Sequence, residues 1–279
     1  MATGTPAPSE FSCSEVSKFV ALQRACINWR IRIGIKRFGP WGIGIYRIGQ
    51  NSMAKLVPNP AEVLNMKYIA EHTTIPVPHV QDHFSRKGRC YLIMDYIHAP
   101  SLDFVWHRFS RLEKSCLLAQ LHQFLTQLRN LTPPHPGYVE AAGGLPCYDV
   151  RLDRKPFGPF TSVQDFHEWL GHGYMRTADE HREYRPIFEA CAKRSYKTVF
   201  THGDIAPRNI LVKGAKIVGL IDWDTSGWYP EYWEYARLHN AGSSLLPEDF
   251  AHGLLELMTP YPTETEAERI LSAVSESRC

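Results

Sequence analysis

His202-Gly203-Asp204-Ile205-Ala206-Pro207-Arg208-Asn209, with Ile221-Asp222-Trp223-Asp224 shortly after it, is the stretch on which the reading of this chain turns. It holds an acid, an amide five residues on, and a second acid thirteen residues after the amide. Phosphoryl transfer asks little covalent chemistry of a protein. It needs the attacking hydroxyl positioned and cations held against the phosphates. Asp204 is the candidate base or orienter. Asn209 and Asp222 are hard oxygen donors suited to Mg²⁺, which takes few protein ligands and keeps several waters. The spacing predicts two short strands, Asn209–Val212 and Lys216–Ile221, joined at Lys213-Gly214-Ala215. Such a hairpin returns the chain so that Asn209 and Asp222 face one cavity. His202 is expected to brace the loop rather than to move a proton.

Upstream of this motif the chain changes character near Pro100. Residues 1–12 read as a tail and Ser14–Ile27 as a leader helix. Ile31–Phe38, Ile43–Ile48 and Ser52–Val57 read as short β runs separated by Gly39-Pro40-Trp41-Gly42 and Gly49-Gln50-Asn51, both turn-forming. Ala61–Glu71 has helical spacing after Pro60, a residue tolerated in a first turn. Two further strands are expected at His79–Phe84 and Cys90–Ile97. Beyond Pro100, Leu112–Leu131 carries Leu117, Leu121, Phe124, Leu125 and Leu128 on one stripe, an amphipathic helix. Residues 137–162 are a Gly/Pro-rich loop, Val163–Ala178 and Pro186–Arg194 look helical, and the remainder after the hairpin looks mainly helical. The fold class is therefore α+β and bilobal. Residues 1–97 form a small antiparallel β-rich lobe with one helix, and residues 98–279 a larger helical lobe carrying the catalytic loop and substrate site.

Composition sets the surroundings. The chain has 279 residues, 44% of them hydrophobic and 22% charged, ordinary values for a soluble protein with a real core. A net charge of +2 makes no case for nucleic acid or for a bulk membrane partner. No apolar run is long enough to span a bilayer, and the first residues lack a secretory leader. The seven cysteines are scattered, an odd count that fits reduced thiols and a cytoplasmic setting.

The two motifs resemble the aminoglycoside phosphotransferase/choline kinase family, small-molecule kinases with a protein-kinase-like fold. Thr201–Leu238 is similar to the fungal-type branch in particular. Glu71-His72-Thr73-Thr74-Ile75-Pro76-Val77-Pro78, Met94-Asp95-Tyr96-Ile97 and Gly158-Pro159-Phe160 fit the same resemblance, which covers about residues 30–260. It implies ATP and Mg²⁺ as cofactors. It also implies a lysine on the third strand holding the α/β-phosphates, and a helix glutamate orienting it. Lys55 and Glu62 stand at those places. Met94, Asp95, Tyr96 and Ile97 are then the hinge that offers backbone groups to adenine.

Some positions stay open between two readings. Gly39–Gly44 occupies the phosphate-loop position without the GxGxxG pattern and reads equally as a tight turn. Asp224 either supports the metal or caps the next turn. Trp228, Tyr229, Tyr232, Trp233 and Tyr235 are either core or a pocket wall able to hold a cation. From Tyr229 to Cys279 there are nine acidic against three basic residues, so Glu231 and Glu234 are candidate contacts for a cationic substrate, with solvated helix faces as the other reading. His167 and His172 are five apart, which puts the rings about 140° from one another on a helix and excludes a zinc-protease site. A protein kinase would carry a lysine two residues after the catalytic aspartate. Ala206 stands there and turns the expectation toward small alcohols. The leading function is ATP- and Mg²⁺-dependent phosphorylation of a hydroxyl on a small molecule, aminoglycoside-like or an amino alcohol or other metabolite. The alternatives are a choline/ethanolamine-type kinase and a nucleotide-binding pseudokinase scaffold.

Overall fold

A computed structural model describes residues 24–57, 59–175, 185–241 and 246–276. The elements are α1 (Ile27–Phe38), β1 (Ile45–Arg47), β2 (Ser52–Leu56), α2 (Ala61–His72), β3 (Val80–Arg86), β4 (Arg89–Asp95) and α3 (Leu102–Val105). They continue with α4 (Arg111–Arg129), α5 (Val163–Met175), α6 (Arg185–Ala192), β5 (Thr198–Thr201), β6 (Ile210–Lys213), β7 (Lys216–Leu220) and β8 (Gly227–Pro230). Helices α7 (Trp233–Asn240), α8 (Glu248–Leu255) and α9 (Pro262–Glu276) complete the chain. The fold is α+β and kinase-like: a four-stranded antiparallel sheet in the order β1-β2-β4-β3, then a mainly helical part holding two small β-pairs.

Ile31–Phe38 is helix rather than strand. The alternating Ile-Arg-Ile-Gly-Ile-Lys mimics a two-residue period, but Ile27, Ile31, Gly34 and Phe38 also fall on one helical face. That face packs inward, while Ile33 and Ile35 stay exposed. Gly34 permits the close approach: a Cβ there would stand 2.0 Å from the carbonyl oxygen of Arg47. As a result, Lys55 lies on the second described strand instead of a third. The proposed leader helix falls almost wholly outside the described residues, as does the end of Val163–Ala178.

Pro60 precedes α2, whose first turn carries Glu62. In β2, Lys55 pairs with Leu92 and Met53 with Met94, so the sheet carries Lys55 and Met94 to the same end of the molecule as α2. Helix α4 is set by a capping box: the Ser110 hydroxyl accepts from the Glu113 N–H, and Glu113 accepts from the Ser110 N–H. Its leucine stripe (Leu117, Leu121, Leu125, Leu128) is fully buried. Each such side chain contributes about 1.5–3 kcal/mol. The main core runs from Met66 and Ile69 of α2 past this stripe to Phe200, Ile210 and Leu220, so α2 and the β6–β7 hairpin share one hydrophobic support.

The hairpin forms as its spacing predicts, with Ile210 opposite Leu220 and Lys213 opposite Lys216. Asn209, however, ends a 3-10 turn (Pro207–Asn209) and is not the first strand residue. The segment after Asp224 is not purely helical either: β8 pairs with β5, placing Gly227 opposite Thr201. These four-residue strands are fully buried and too short to show alternation. Four of the five residues of the aromatic cluster are core, while Tyr235 is half-buried. Trp228, Tyr229, Tyr232 and Trp233 are all buried, with Tyr229 and Trp233 stacked. No helix among the described residues is long and apolar enough to cross a membrane.

Candidate active site

The catalytic loop leaves β5 at Thr201 and turns sharply. Gly203 has φ +80°, and a Cβ on it would stand 2.8 Å from the carbonyl oxygen of Thr225. His202, fully buried, ties the loop to the segment that follows β7. Its Nε2–H donates to the Ile221 carbonyl (3.1 Å), and its Nδ1 accepts the Asp204 N–H (3.3 Å). Burial lowers its pKa, against the pull of Asp204, which keeps it the neutral brace that this bonding requires. Beneath the loop, Glu234 of α7 accepts the N–H groups of His202 (2.6 Å) and Gly203 (3.1 Å). From α2, Asn65 donates to the carbonyls of Trp223 (3.1 Å) and Ser226 (2.8 Å), fixing the turn after Asp222.

Lys55 Nζ lies 2.7 Å from Glu62 Oε1 and 2.5 Å from Asp222 Oδ1. Burial opposes its charge, but Glu62 and Asp222 outweigh that and raise its pKa. Glu62 is 1% exposed, and burial raises its pKa from 4.5 to about 7 despite Lys55. Its Oε2 has no hydrogen-bond partner. Asp222 adopts a left-handed backbone, φ +69°, a conformation Asp reaches more easily than most residues. The Ile221 N–H donates to the Asn209 carbonyl (3.0 Å), holding Asn209 and Asp222 side by side. The Asn209 amide donates to Asp204 at both the main-chain O and Oδ2 (2.8 Å each), which leaves its carbonyl oxygen available to a cation.

Lys55, Glu62, Asn209 and Asp222 line one cleft of about 400 Å³. Met94, Asp95, Tyr96 and Ile97 line its edge, with Met53 and Trp41 as apolar walls and Trp41 edge-on to Tyr96 at 5.2 Å. The Gly39–Gly44 segment is a turn before β1, and Trp41 is the part of it that reaches the cleft. Among the described residues no cluster of three or more His, Cys, Asp or Glu could hold a metal. The donor set here is instead one carboxylate and one amide oxygen, which suits an ion that keeps its waters.

A sequence model of the family described as "Phosphotransferase enzyme family" matches residues 52–267. The chain belongs to that family. No curated protein sequence matches it. Among solved structures, a thermostable mutant of aminoglycoside phosphotransferase APH(4)-Ia in its apo form is 14% identical, with a TM-score of 0.56 over 89% of this chain and 96% of that one. The ternary complex of such a mutant with AMP-PNP and hygromycin B is 15% identical with a TM-score of 0.56, covering 89% of this chain and 96% of that one. The streptomycin–ATP–APH(2")-IIa ternary complex is 15% identical with a TM-score of 0.52, covering 90% and 86%. At these identities the likeness establishes the fold.

The two candidate contacts for a cationic substrate, Glu231 and Glu234, do not line this cleft. Glu234 is 3% exposed and its carboxylate is occupied by the N–H groups of His202 and Gly203. Glu231 accepts the Lys197 N–H (3.1 Å) and the Tyr261 hydroxyl (3.3 Å). Asp224 lies beside Asp222 and Lys55, and burial followed by Asp222 raises its pKa to about 6. Trp223 is fully buried and donates to the Leu220 carbonyl, a packing role. The sequence reading passed over Arg151 and Arg208, which both touch Asp204. Arg208 stood inside the motif and could have been singled out. Arg151 lies in the Gly/Pro-rich loop with no local signal.

Proposed function

We propose that this protein is an ATP- and Mg²⁺-dependent phosphotransferase that moves the γ-phosphate to a hydroxyl of a small molecule. The observation that carries the reading is the convergence of Lys55, Glu62, Asn209 and Asp222 on one cleft, with Asp204 hydrogen-bonded to Asn209. The part up to Ile97 holds the nucleotide, and the part after it supplies the catalytic loop and the acceptor site. Lys55, oriented by Glu62, takes the α/β-phosphates; Asn209 and Asp222 hold Mg²⁺, which supplies charge neutralisation on the phosphates when bound; Asp204 orients the attacking hydroxyl. Met94–Ile97 accommodate adenine. The N–H groups of Asp95 and Tyr96 are already taken by the carbonyls of His79 and Asn51, so recognition falls to the remaining backbone groups of the hinge. The solved relatives complexed with AMP-PNP and with ATP support a nucleotide in this place, and their aminoglycoside ligands support a compact polyhydroxylated or amino-alcohol acceptor. Free thiols at Cys26, Cys90, Cys116, Cys147 and Cys191 fit a cytoplasmic enzyme.

The test is Mg²⁺-dependent ATP consumption against a panel of aminoglycosides, amino alcohols and sugars, with Asp204→Ala beside the native protein. An acceptor turned over by the native protein and slowed about 10²–10⁴-fold by the substitution supports the assignment. Turnover that survives the substitution removes Asp204 from it. Mg²⁺-dependent ATP binding with no turnover on any compound makes the protein a nucleotide-binding scaffold.

A further inference from the structure

The Asp204 carboxylate sits between two guanidinium groups from separate parts of the chain. Arg208 Nη2 lies 2.8 Å from Oδ1 and 2.7 Å from Oδ2, and Arg151 Nη1 lies 3.2 Å from Oδ1. Arg151 is held rigidly. Its Nε and Nη2 bond Asp149 at 2.7 and 2.6 Å, and Nη2 also donates to the Gly203 carbonyl at 2.7 Å. Asp149 is buried, with Arg237 3.7 Å behind it, and Arg237 pairs in turn with Glu268 of α9. A row of alternating charges therefore runs from α9 to the catalytic loop and ends on Arg151. Arg208 is the contrasting partner. Its side chain is 48% exposed and it lines the same cleft as Lys55, Asn209 and Asp222.

A phosphoryl group in transit spreads its charge over three equatorial oxygens. Lys55 faces it from the nucleotide side. On the acceptor side stands Asp204, an anion that repels it, and the loop carries Ala206 where a lysine would offset that repulsion. We propose that Arg208 and Arg151 form a cation clamp for the transferred phosphoryl group, supplying the charge missing at Ala206. The proposal rests on the phosphotransferase reading above. Arg208 is the mobile half: when a hydroxyl occupies Asp204, its guanidinium moves its hydrogen bonds from the carboxylate to the phosphoryl oxygens, a geometry its planar fork suits. Arg151 is the fixed half and keeps Asp204 aimed. The acceptor oxygen bonds to the γ-phosphorus as the bond to the β,γ-bridging oxygen breaks, the electron pair leaves on ADP, and the hydroxyl proton passes to Asp204.

The test needs no knowledge of the acceptor. Titration calorimetry of the full chain with Mg·ADP, without and with aluminium fluoride as a mimic of the phosphoryl group in transit, measures the tightening due to that group. Native protein is expected to bind Mg·ADP more tightly with fluoride. Arg208→Met should lose about tenfold or more of the fluoride gain, taken as the ratio of its own Mg·ADP affinities with and without fluoride, as expected for a charged hydrogen bond. Arg208→Lys should restore part of it. Arg151→Met should also reduce the gain, but it strands buried Asp149, so the exposed Arg208 is the deciding variant and its melting temperature should match the native one. An undiminished gain in Arg208→Met, or no gain in a native protein that binds Mg·ADP, overturns the clamp. Native protein that binds no Mg·ADP at all overturns the phosphotransferase reading itself.

Discussion

Replacing Lys55 by Met separates the electrostatic role of this residue from its packing, because Met fills the same stem and removes only the ammonium. Glu62 then loses its one partnered oxygen contact, and its other oxygen has none already. An unpaired buried carboxylate costs about 3–5 kcal/mol. Glu62 avoids that cost by keeping its proton, whose own cost against the unfolded chain grows by about 1.4 kcal/mol per pH unit above the ordinary 4.5. Relative to low pH the variant therefore loses about 2 kcal/mol at pH 6, as native does, and about 5 at pH 8, where native has levelled at about 3.4. The sign follows from the raised pKa: stability is fully present below the unfolded value and is lost as pH rises toward the folded one. In the native protein that loss ends near pH 7, where Glu62 ionises against Lys55. In Lys55→Met it continues to higher pH. Urea unfolding at pH 6, 7 and 8 should show the gap between variant and native widening mainly between pH 7 and 8, by about 1–1.5 kcal/mol. Lys55→Met/Glu62→Gln should follow no such trend. Equal pH dependence in the single and double variants, or a single variant as stable as native at pH 8, would refute the reasoning.

Glu234 gives a second pH signature. Burial raises its pKa from 4.5 to about 7, against the pull of two backbone N–H groups, so its contribution to stability is also lost as pH rises through that interval. Glu234→Gln should flatten the native decline in urea midpoint between pH 5 and 8. It should also destabilise by about 1–3 kcal/mol, since the new amide confronts one of the N–H donors; an unchanged slope would argue against a carboxylate brace under the loop. Gly203→Ala forces a side chain into a left-handed backbone and against the Thr225 carbonyl. The expected loss is about 1–3 kcal/mol, read as a melting temperature lower by roughly 3–10 °C. A melting curve that overlays the native one would show that the loop has room the geometry denies.

What the sequence made legible follows from what is local. Asp204, Asn209 and Asp222 were readable because one loop and one hairpin carry all three, and the spacing alone constrains where their side chains can meet. Lys55 and Glu62 were placed through resemblance: they stand seven residues apart, and their meeting depends on α2 folding back onto the sheet, which no residue in between announces. Ile31–Phe38 misled because isoleucine at every second position satisfies a strand and, through Ile27, Ile31 and Phe38, a helix as well. The difference was decided by Gly34 against Arg47. Arg151 was invisible for a stronger reason. Its meaning depends on Asp149, Arg237 and Glu268, spread from the Gly/Pro loop to the last described helix, and only the fold aligns their charges. The absence of a lysine at Ala206 could be read from the motif. That Arg151, more than fifty residues upstream, stands beside Asp204 could not, because a missing charge says nothing about which distant part of the chain lies against it.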